Sequence, residues 1–372
     1  MTNLLSEMEK YDHEEVVFFQ DKEVGLKAIV AIHDTTLGPA LGGTRMWPYA
    51  SEGEALRDVL RLSRGMTYKA AAAGLKLGGG KAVIIGDPKK IKSEALFHSY
   101  GRFINTLNGR YITAEDSGTD VRDMEQVHQE TEHVVGIERS HGGSGNPAPY
   151  TALGVFSSIQ ATLGQAYGDE NLKGKIVVVQ GVGQVGTYLI EHLNKAGAKV
   201  FAADIDHDRL AAKQKQLGFE IVSEESVFAT PCDVFAPCAL GAVLNRWTLP
   251  NLRCKMVVGA SNNQLETPED ADRLKKRGIL YAPDYVVNAG GLINVYLELE
   301  GYSAEKAEKM TLGIYNNVKK VFAIAERDNI STSRAADRMV EEILEPLKKS
   351  SNRFQEKRAP SGRAREQQNH IH

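Results

Sequence analysis

Two lysines flank a glycine run in the stretch Lys69-Ala-Ala-Ala-Ala-Gly-Leu-Lys-Leu-Gly-Gly-Gly-Lys81. An ammonium group works as a base near pH 8 only if its pKa falls about 2 units from ~10.4, which costs the charged form ~3 kcal/mol. Burial and a second cation both push that way, and Lys69 and Lys81 supply such a cation to each other if the fold brings them together. The apolar residues on either side predict a partly dry pocket. Alone, the pattern also fits a solvated or phosphate-binding turn, so it names no reaction. Asp116 follows the β-rich run 111–115, and a carboxylate there is either a proton carrier or the cap of the next helix. No His-Glu-x-x-His pattern occurs; His128 and His133 read as solvated, and no metal is expected.

The second chemical signature is Gly181-Val182-Gly183-Gln184-Val185-Gly186, which follows a strand-like run at 175–180 and opens a helix reaching 196. Gly181 allows a tight turn, Gly183 lets a pyrophosphate reach the helix N-terminus, and Gly186 lets helix and strand pack. A further strand, 199–203, ends at Asp204, whose carboxylate suits the hydroxyls of an adenosine ribose and repels a 2′-phosphate. Together these predict an NAD site rather than an NADP site. Two later loops, 259–264 and 284–291, fall where strands of the same sheet end, the place where such sheets bind ligands. Asn262 and Asn288 are therefore candidates for holding the nicotinamide ribose or carboxamide, although Asn in a turn is commonly structural.

These groups need elements to carry them. A helix over 52–66, apolar at Leu56, Val59 and Leu60, delivers Lys69; a turn at 78–80 then leads to Lys81 and a strand at 82–85. Upstream, 16–20 and 26–33 read as a hairpin and 35–45 as a loop, while helices at 93–107 and 120–131 flank the 111–115 strand. Glycine, proline and small polar residues concentrate at 139–150, which marks a linker. Beyond a helix at 151–168, strands at 219–222, 233–236, 256–259 and 279–282 alternate with helices, as a doubly wound sheet requires. The expected fold is α/β in two domains with a cleft between them. Residues 1–140 form an N-terminal α/β substrate-binding and oligomerisation domain, and 141–330 a Rossmann-like NAD-binding domain. Helices at 292–300, 304–328 and 331–349 return the chain to the first domain, and 350–372, poor in large apolar residues, reads as a disordered tail.

Composition narrows the class. The chain has 372 residues, 42% hydrophobic and 25% charged, with a net charge of −3, which predicts an ordinary soluble globular protein and no nucleic-acid partner. Three cysteines without metal-type spacing suit a reducing compartment. Neither a leader pattern nor a membrane-length apolar run is visible, and a cytoplasmic location is expected.

Several motifs in a fixed order carry a family resemblance: Gly-Pro-Ala-Leu-Gly-Gly-Thr-Arg-Met at 38–46, Gly-Met-Thr-Tyr-Lys-Ala at 65–70, Gly-Gly-Lys-Ala-Val-Ile at 79–84, Thr-Ala-Glu-Asp at 113–116, Asn-Asn-Gln-Leu at 262–265 and Tyr-Ala-Pro-Asp-Tyr-Val-Val-Asn-Ala-Gly-Gly at 281–291. From about residue 10 to 349 the chain resembles the amino-acid dehydrogenases that act on leucine, valine, phenylalanine and glutamate, the leucine branch most of all. That resemblance implies NAD-dependent, reversible oxidative deamination of an L-amino acid to a 2-oxo acid, ammonia and NADH. It implies that Lys69 pairs with the substrate carboxylate, that Lys81 is the low-pKa base that activates water, and that Asp116 shuttles protons at the nitrogen. It further implies that the backbone at Gly42 and Gly43 approaches the substrate, that the Thr151 hydroxyl lies near the carboxamide, and that Leu41, Ala114, Val135, Leu292 and Val295 form the side-chain pocket. None of those five is charged, which counts against glutamate. Branched aliphatic substrates are expected, with phenylalanine or another aromatic as the alternative and a homo-oligomer, octamer or dimer, as the working form. A non-catalytic NAD-binding regulator predicts losses at Lys69, Lys81 or Asp116, and all three are present. A 2-hydroxy-acid dehydrogenase wants a histidine beside an arginine, and neither His33 nor His141 reads as such.

Overall fold

The computed structural model describes residues 4–239 and 241–358. The first half runs α1 (Leu4–Tyr11), β1 (Glu15–Asp21), β2 (Leu26–Asp34), β3 (Ala40–Trp47), α2 (Glu52–Ala72), β4 (Gly78–Ile85), α3 (Pro88–Ile91), α4 (Glu94–Thr106), β5 (Tyr111–Glu115) and α5 (Val121–His128). Next come α6 (Ala148–Tyr167), β6 (Ile176–Gln180), α7 (Gln184–Lys195), β7 (Lys199–Ala203), α8 (His207–Leu217), β8 (Glu220–Ile221), β9 (Cys232–Pro237) and β10 (Cys254–Val257). The chain then forms α9 (Glu269–Lys276), β11 (Leu280–Tyr281), α10 (Asp284–Val287), α11 (Gly290–Tyr296), α12 (Ala304–Leu312), α13 (Ile314–Asp328) and α14 (Thr332–Arg358).

Two sheets organise the molecule. The first is five-stranded, in the order β1-β2-β4-β3-β5, with β2 antiparallel to β1 and β4 and with β3 parallel to β4 and β5. The second is six-stranded and parallel throughout, in the order β11-β10-β9-β6-β7-β8. Counted from β6, that is the doubly wound dinucleotide-binding order, and its direction reverses between β6 and β9. The architecture is therefore the two-domain α/β fold expected.

The first sheet is covered on both sides. One face buries Leu26, Val30, Ile84 and Tyr111 against Leu96, Phe97 and Tyr100 of α4; the other buries Ile29 and Val83 under Leu56, Val59 and Leu60 of α2. Each such large apolar side chain contributes about 1.5–3 kcal/mol on burial. Between the halves the apolar packing is continuous, running from Leu41, Ala114 and Val135 to Val155, Leu292 and Ile293.

Several sequence expectations need correction. The helix that carries Lys69 does not stop at 66. Ser51 caps it through the Glu54 N–H, and the alanine run, a strong helix former, extends it to Ala72, so Lys69 stands on its last turn. Residues 78–80 are not a turn but the first half of β4. Their glycines meet a packing need: a Cβ on Gly79 would lie 2.1 Å from the Thr67 nitrogen of α2, and one on Gly80 would lie 2.6 Å from the Tyr111 ring. The segment 35–45, expected as a loop, becomes strand β3 from Ala40 onward. The long helix at 304–328 breaks at Gly313 into α12 and α13. His128 and His133 are half-buried rather than solvated. The last helix continues to Arg358, into the segment read as a tail, and that expectation for 359–372 lies outside the described residues. Lys348 on this helix pairs with Asp34 at 2.8 Å, which ties α14 to the first sheet.

Candidate active site

Between the two sheets lies a cleft of ≈ 1310 Å³ lined from both halves. Lys69, Lys81, Asp116, Gly43, Leu41 and Ala114 reach it from the first half, and Thr151, Gln184, Val185, Asn262, Asn288, Leu292 and Val295 from the second. Chain segments separated by more than a hundred positions thus meet in one place.

Asp116 stands just past the end of β5 between two cations. Its Oδ2 lies 2.9 Å from Lys81 Nζ and 3.1 Å from Arg45 Nε, while Lys81 is buried to 6% exposure. Burial pushes the Asp116 carboxyl up, but the two cations prevail and hold its pKa below the ordinary carboxylate value. Lys69 is half-buried, its ammonium 3.5 Å from Asn262 Oδ1 across the cleft. Desolvation dominates there and lowers its pKa to about 8, Lys81 adding to the drop and Asp284 and Asp116 opposing it. Lys81, by contrast, is held against the Asp116 carboxylate.

On the opposite wall, the Asn288 amide donates to Asn262 Oδ1 at 2.8 Å and to the Ala260 carbonyl at 2.9 Å. Its own Oδ1 is buried without a partner among the described residues. An orphaned acceptor of this kind costs about 1–3 kcal/mol unless a ligand supplies a donor. Thr151 on α6 donates to the Pro147 carbonyl at 3.3 Å and leaves an oxygen at the cleft.

The glycine loop sits at the β6–α7 turn, at the mouth of the second sheet. Gly181 has φ +100 and a Cβ there would collide with Ala239, and a Cβ on Gly186 would lie 2.0 Å from the Gly181 carbonyl oxygen. Gly183, the N-cap of α7, has open space where its Cβ would be, which leaves room for a phosphate at the helix start. Asp204 directly follows β7 and accepts the Val182 N–H at 2.7 Å, so the loop and the carboxylate hold each other. Arg209 also pairs with Asp204, at 2.6 Å. These features fit a bound dinucleotide.

Two expected residues lie elsewhere. Gly42 is inside the sheet, where a Cβ would lie 1.8 Å from the Gly80 carbonyl oxygen, so close strand packing explains this glycine and only Gly43 borders the cleft. Val135 is buried at 1% exposure behind the pocket wall, packed in the same apolar cluster as Leu41, Ala114 and Leu292. Other groups went unnoticed in the sequence. Arg45 lies within the 38–46 motif with no local sign of a task, and Asp284, whose pKa burial raises, accepts the Gln264 N–H at 3.0 Å beside Lys69. An acid directly after a proline at a strand's end was the available signal. His33 is fully engaged, bonded to Thr67 Oγ1 at 2.8 Å and to the Tyr11 carbonyl at 2.9 Å, and burial lowers its pKa to about 4.

A doubly wound dinucleotide fold facing a lysine-and-carboxylate wall across one cleft defines a two-domain dehydrogenase. Residues 13–133 match the family model "Glu/Leu/Phe/Val dehydrogenase, dimerisation domain", and 142–208 and 203–340 match "Glutamate/Leucine/Phenylalanine/Valine dehydrogenase". The chain belongs to the Glu/Leu/Phe/Val dehydrogenase family. It is 56% identical over 351 residues to leucine dehydrogenase of Geobacillus stearothermophilus, covering 94% of this chain and 96% of that one. It is 46% identical over 360 residues to phenylalanine dehydrogenase of Lysinibacillus sphaericus, covering 95% and 94%. Among solved structures, L-tryptophan dehydrogenase from Nostoc punctiforme superposes with a TM-score of 0.83 at 44% identity, covering 93% of this chain and 99% of that one.

Proposed function

We propose that this chain catalyses the reversible reaction of leucine and related branched-chain L-amino acids with NAD and water to give the 2-oxo acid, ammonia and NADH. The observation that carries the reading is the convergence of Lys69, Lys81 and Asp116 in one cleft that also borders the dinucleotide loop. The greater identity to leucine than to phenylalanine dehydrogenases, 56% against 46%, supports the aliphatic choice.

In this reading Gly181 to Gly186 and Asp204 hold the pyrophosphate and adenosine ribose, and Thr151, Asn262 and Asn288 hold the nicotinamide end. When bound, NAD supplies the acceptor for the hydride of the substrate α-carbon. The Lys69 ammonium binds the substrate carboxylate, and Asp116 exchanges protons with the substrate nitrogen. Lys81 takes a proton from the water that attacks the imine carbon. Leu41, Ala114, Leu292 and Val295 enclose the side chain, and Val135 sets the position of that wall from behind. Much of the rate comes from holding these groups aligned and dry, which the two-sided cleft provides.

NADH formation with each of the twenty amino acids at alkaline pH tests the proposal. Leucine, isoleucine and valine are expected to lead; activity confined to aromatic substrates, or to none, would overturn it. Ala114→Gly is expected to move the kcat/KM ratio toward phenylalanine by about 10-fold, the scale on which a methyl group in an apolar pocket discriminates. An unchanged ratio removes Ala114 from the pocket. Asp204→Ala is expected to weaken NAD and narrow its preference over NADP, measured as the ratio of the two kcat/KM values.

The working form is proposed to be a homo-oligomer, an octamer or a dimer, in the cytoplasm, and light scattering reads its mass. No helix among the described residues is long and apolar enough to cross a membrane.

A further inference from the structure

We propose that Arg45 is a positioning residue whose guanidinium ties the Asp116 carboxylate to Asp58 of α2, the same helix that carries Lys69. The inference rests on the deaminating reading of the cleft and concerns what keeps its carboxylate in place. Arg45 extends from β3, with Nε 3.1 Å from Asp116 Oδ2 and Nη1 2.9 Å from Asp58 Oδ2. Its two carboxylates belong to different elements. Asp58 is itself held, by the Tyr49 hydroxyl at 2.7 Å and by Arg61 at 3.0 Å. Arg45 and Arg61 border both the substrate cleft and a second cavity of ≈ 630 Å³, whereas Tyr49 and Asp58 border only the second. The network is thus the partition between the two spaces.

The arrangement has a chemical consequence. Lys81 and Arg45 both approach Oδ2 of Asp116, and no side-chain hydrogen bond among the described residues is made to Oδ1. The cations fix Oδ2, the Ser117 backbone N–H is a further donor to the carboxylate, and Oδ1, with no side-chain donor, faces the substrate nitrogen in this reading. A planar fork can span two carboxylates in this way, and a lysine at position 45 would carry the charge without the span. The titratable groups facing Asp116 are Lys81 from β4, Arg45 from β3, Lys69 from α2, Tyr49 from the segment after β3, and the neighbouring Glu115; Asp58 meets it through Arg45, and Asp120 faces Glu115. Removing Arg45 leaves burial opposed chiefly by Lys81, so the carboxylate protonates at a higher pH.

The experiment compares kcat/KM for L-leucine against pH in the wild type, Arg45→Gln and Arg45→Lys, with NADH binding followed by fluorescence. The glutamine variant is expected to lose about 10²-fold in kcat/KM. Its acid limb should move up by about 1 unit, and NADH affinity should stay the same. The lysine variant should return the limb toward its original pH while recovering only part of the rate. A glutamine profile whose limb superimposes on the wild type overturns the positioning role alone; a wild type that oxidises no amino acid overturns the reading beneath it as well. If the glutamine variant does not fold, Asp58→Asn decides. It keeps the guanidinium beside Asp116 but frees its other arm, and should cost about tenfold in kcat/KM; wild-type kinetics in it overturn the proposal.

Discussion

Replacing Lys81 with alanine is expected to lower kcat for leucine oxidation by about 10²–10⁴-fold, the usual contribution of a positioned general base, while NADH still binds. The separation follows from where the side chain lies. Lys81 is paired in register with Ala31 on β2, and the alanine keeps the Cβ and backbone of that central strand. Its ammonium reaches the cleft and Asp116, whereas the glycine loop and Asp204 belong to the other sheet. Asp116 keeps Arg45 after the change, so a charged carboxylate is not stranded. Deamination within about tenfold of wild type would remove Lys81 from the chemistry.

Lys69→Ala is expected to act differently, raising KM for leucine by about 10–100-fold, the worth of a hydrogen bond between charged groups, with a smaller change in kcat. Its pKa near 8 makes this testable by pH. Lys69 is charged below that value and progressively neutral above it, so the unliganded cleft should bind a 2-oxo acid, whose carboxylate stays ionised throughout, more weakly as pH rises through about 8. Bound carboxylate stabilises the ammonium and raises its pKa again. In the alanine variant this dependence should vanish. The opposite split, a collapse of kcat with KM intact, would assign the base to Lys69 and exchange the roles of the two lysines.

How far the fold was legible depended on the kind of signal each segment carried. Gly181 to Gly186 stood between an unbroken β-branched run and an amphipathic helix, so local sequence was sufficient for the second sheet. Residues 78–80 misled because three glycines ordinarily announce a turn. Their reason for being glycine, the closeness of Thr67 and Tyr111, is long-range and invisible in local composition. The same held for β3, whose Gly42 and Gly43 suppress strand propensity but let it lie between β4 and β5. Lys69, Lys81 and Asp116 were legible through motifs. Arg45 and Asp58 were not, since an ion pair between a strand and a helix leaves no periodic trace.

The bare backbone of β4 under α2 also limits how this cleft can be remodelled. With no side chain at Gly79 there is nothing to trim, and anything added there meets Thr67 and Ser63 and must lift α2, the helix that carries Lys69. The spacing of the two amines is therefore a fixed gauge, set by how closely α2 packs on β4. Room for a bulkier tail in the proposed pocket has to be made on the opposite wall, at Leu292 and Val295, where shortening a side chain leaves that gauge untouched.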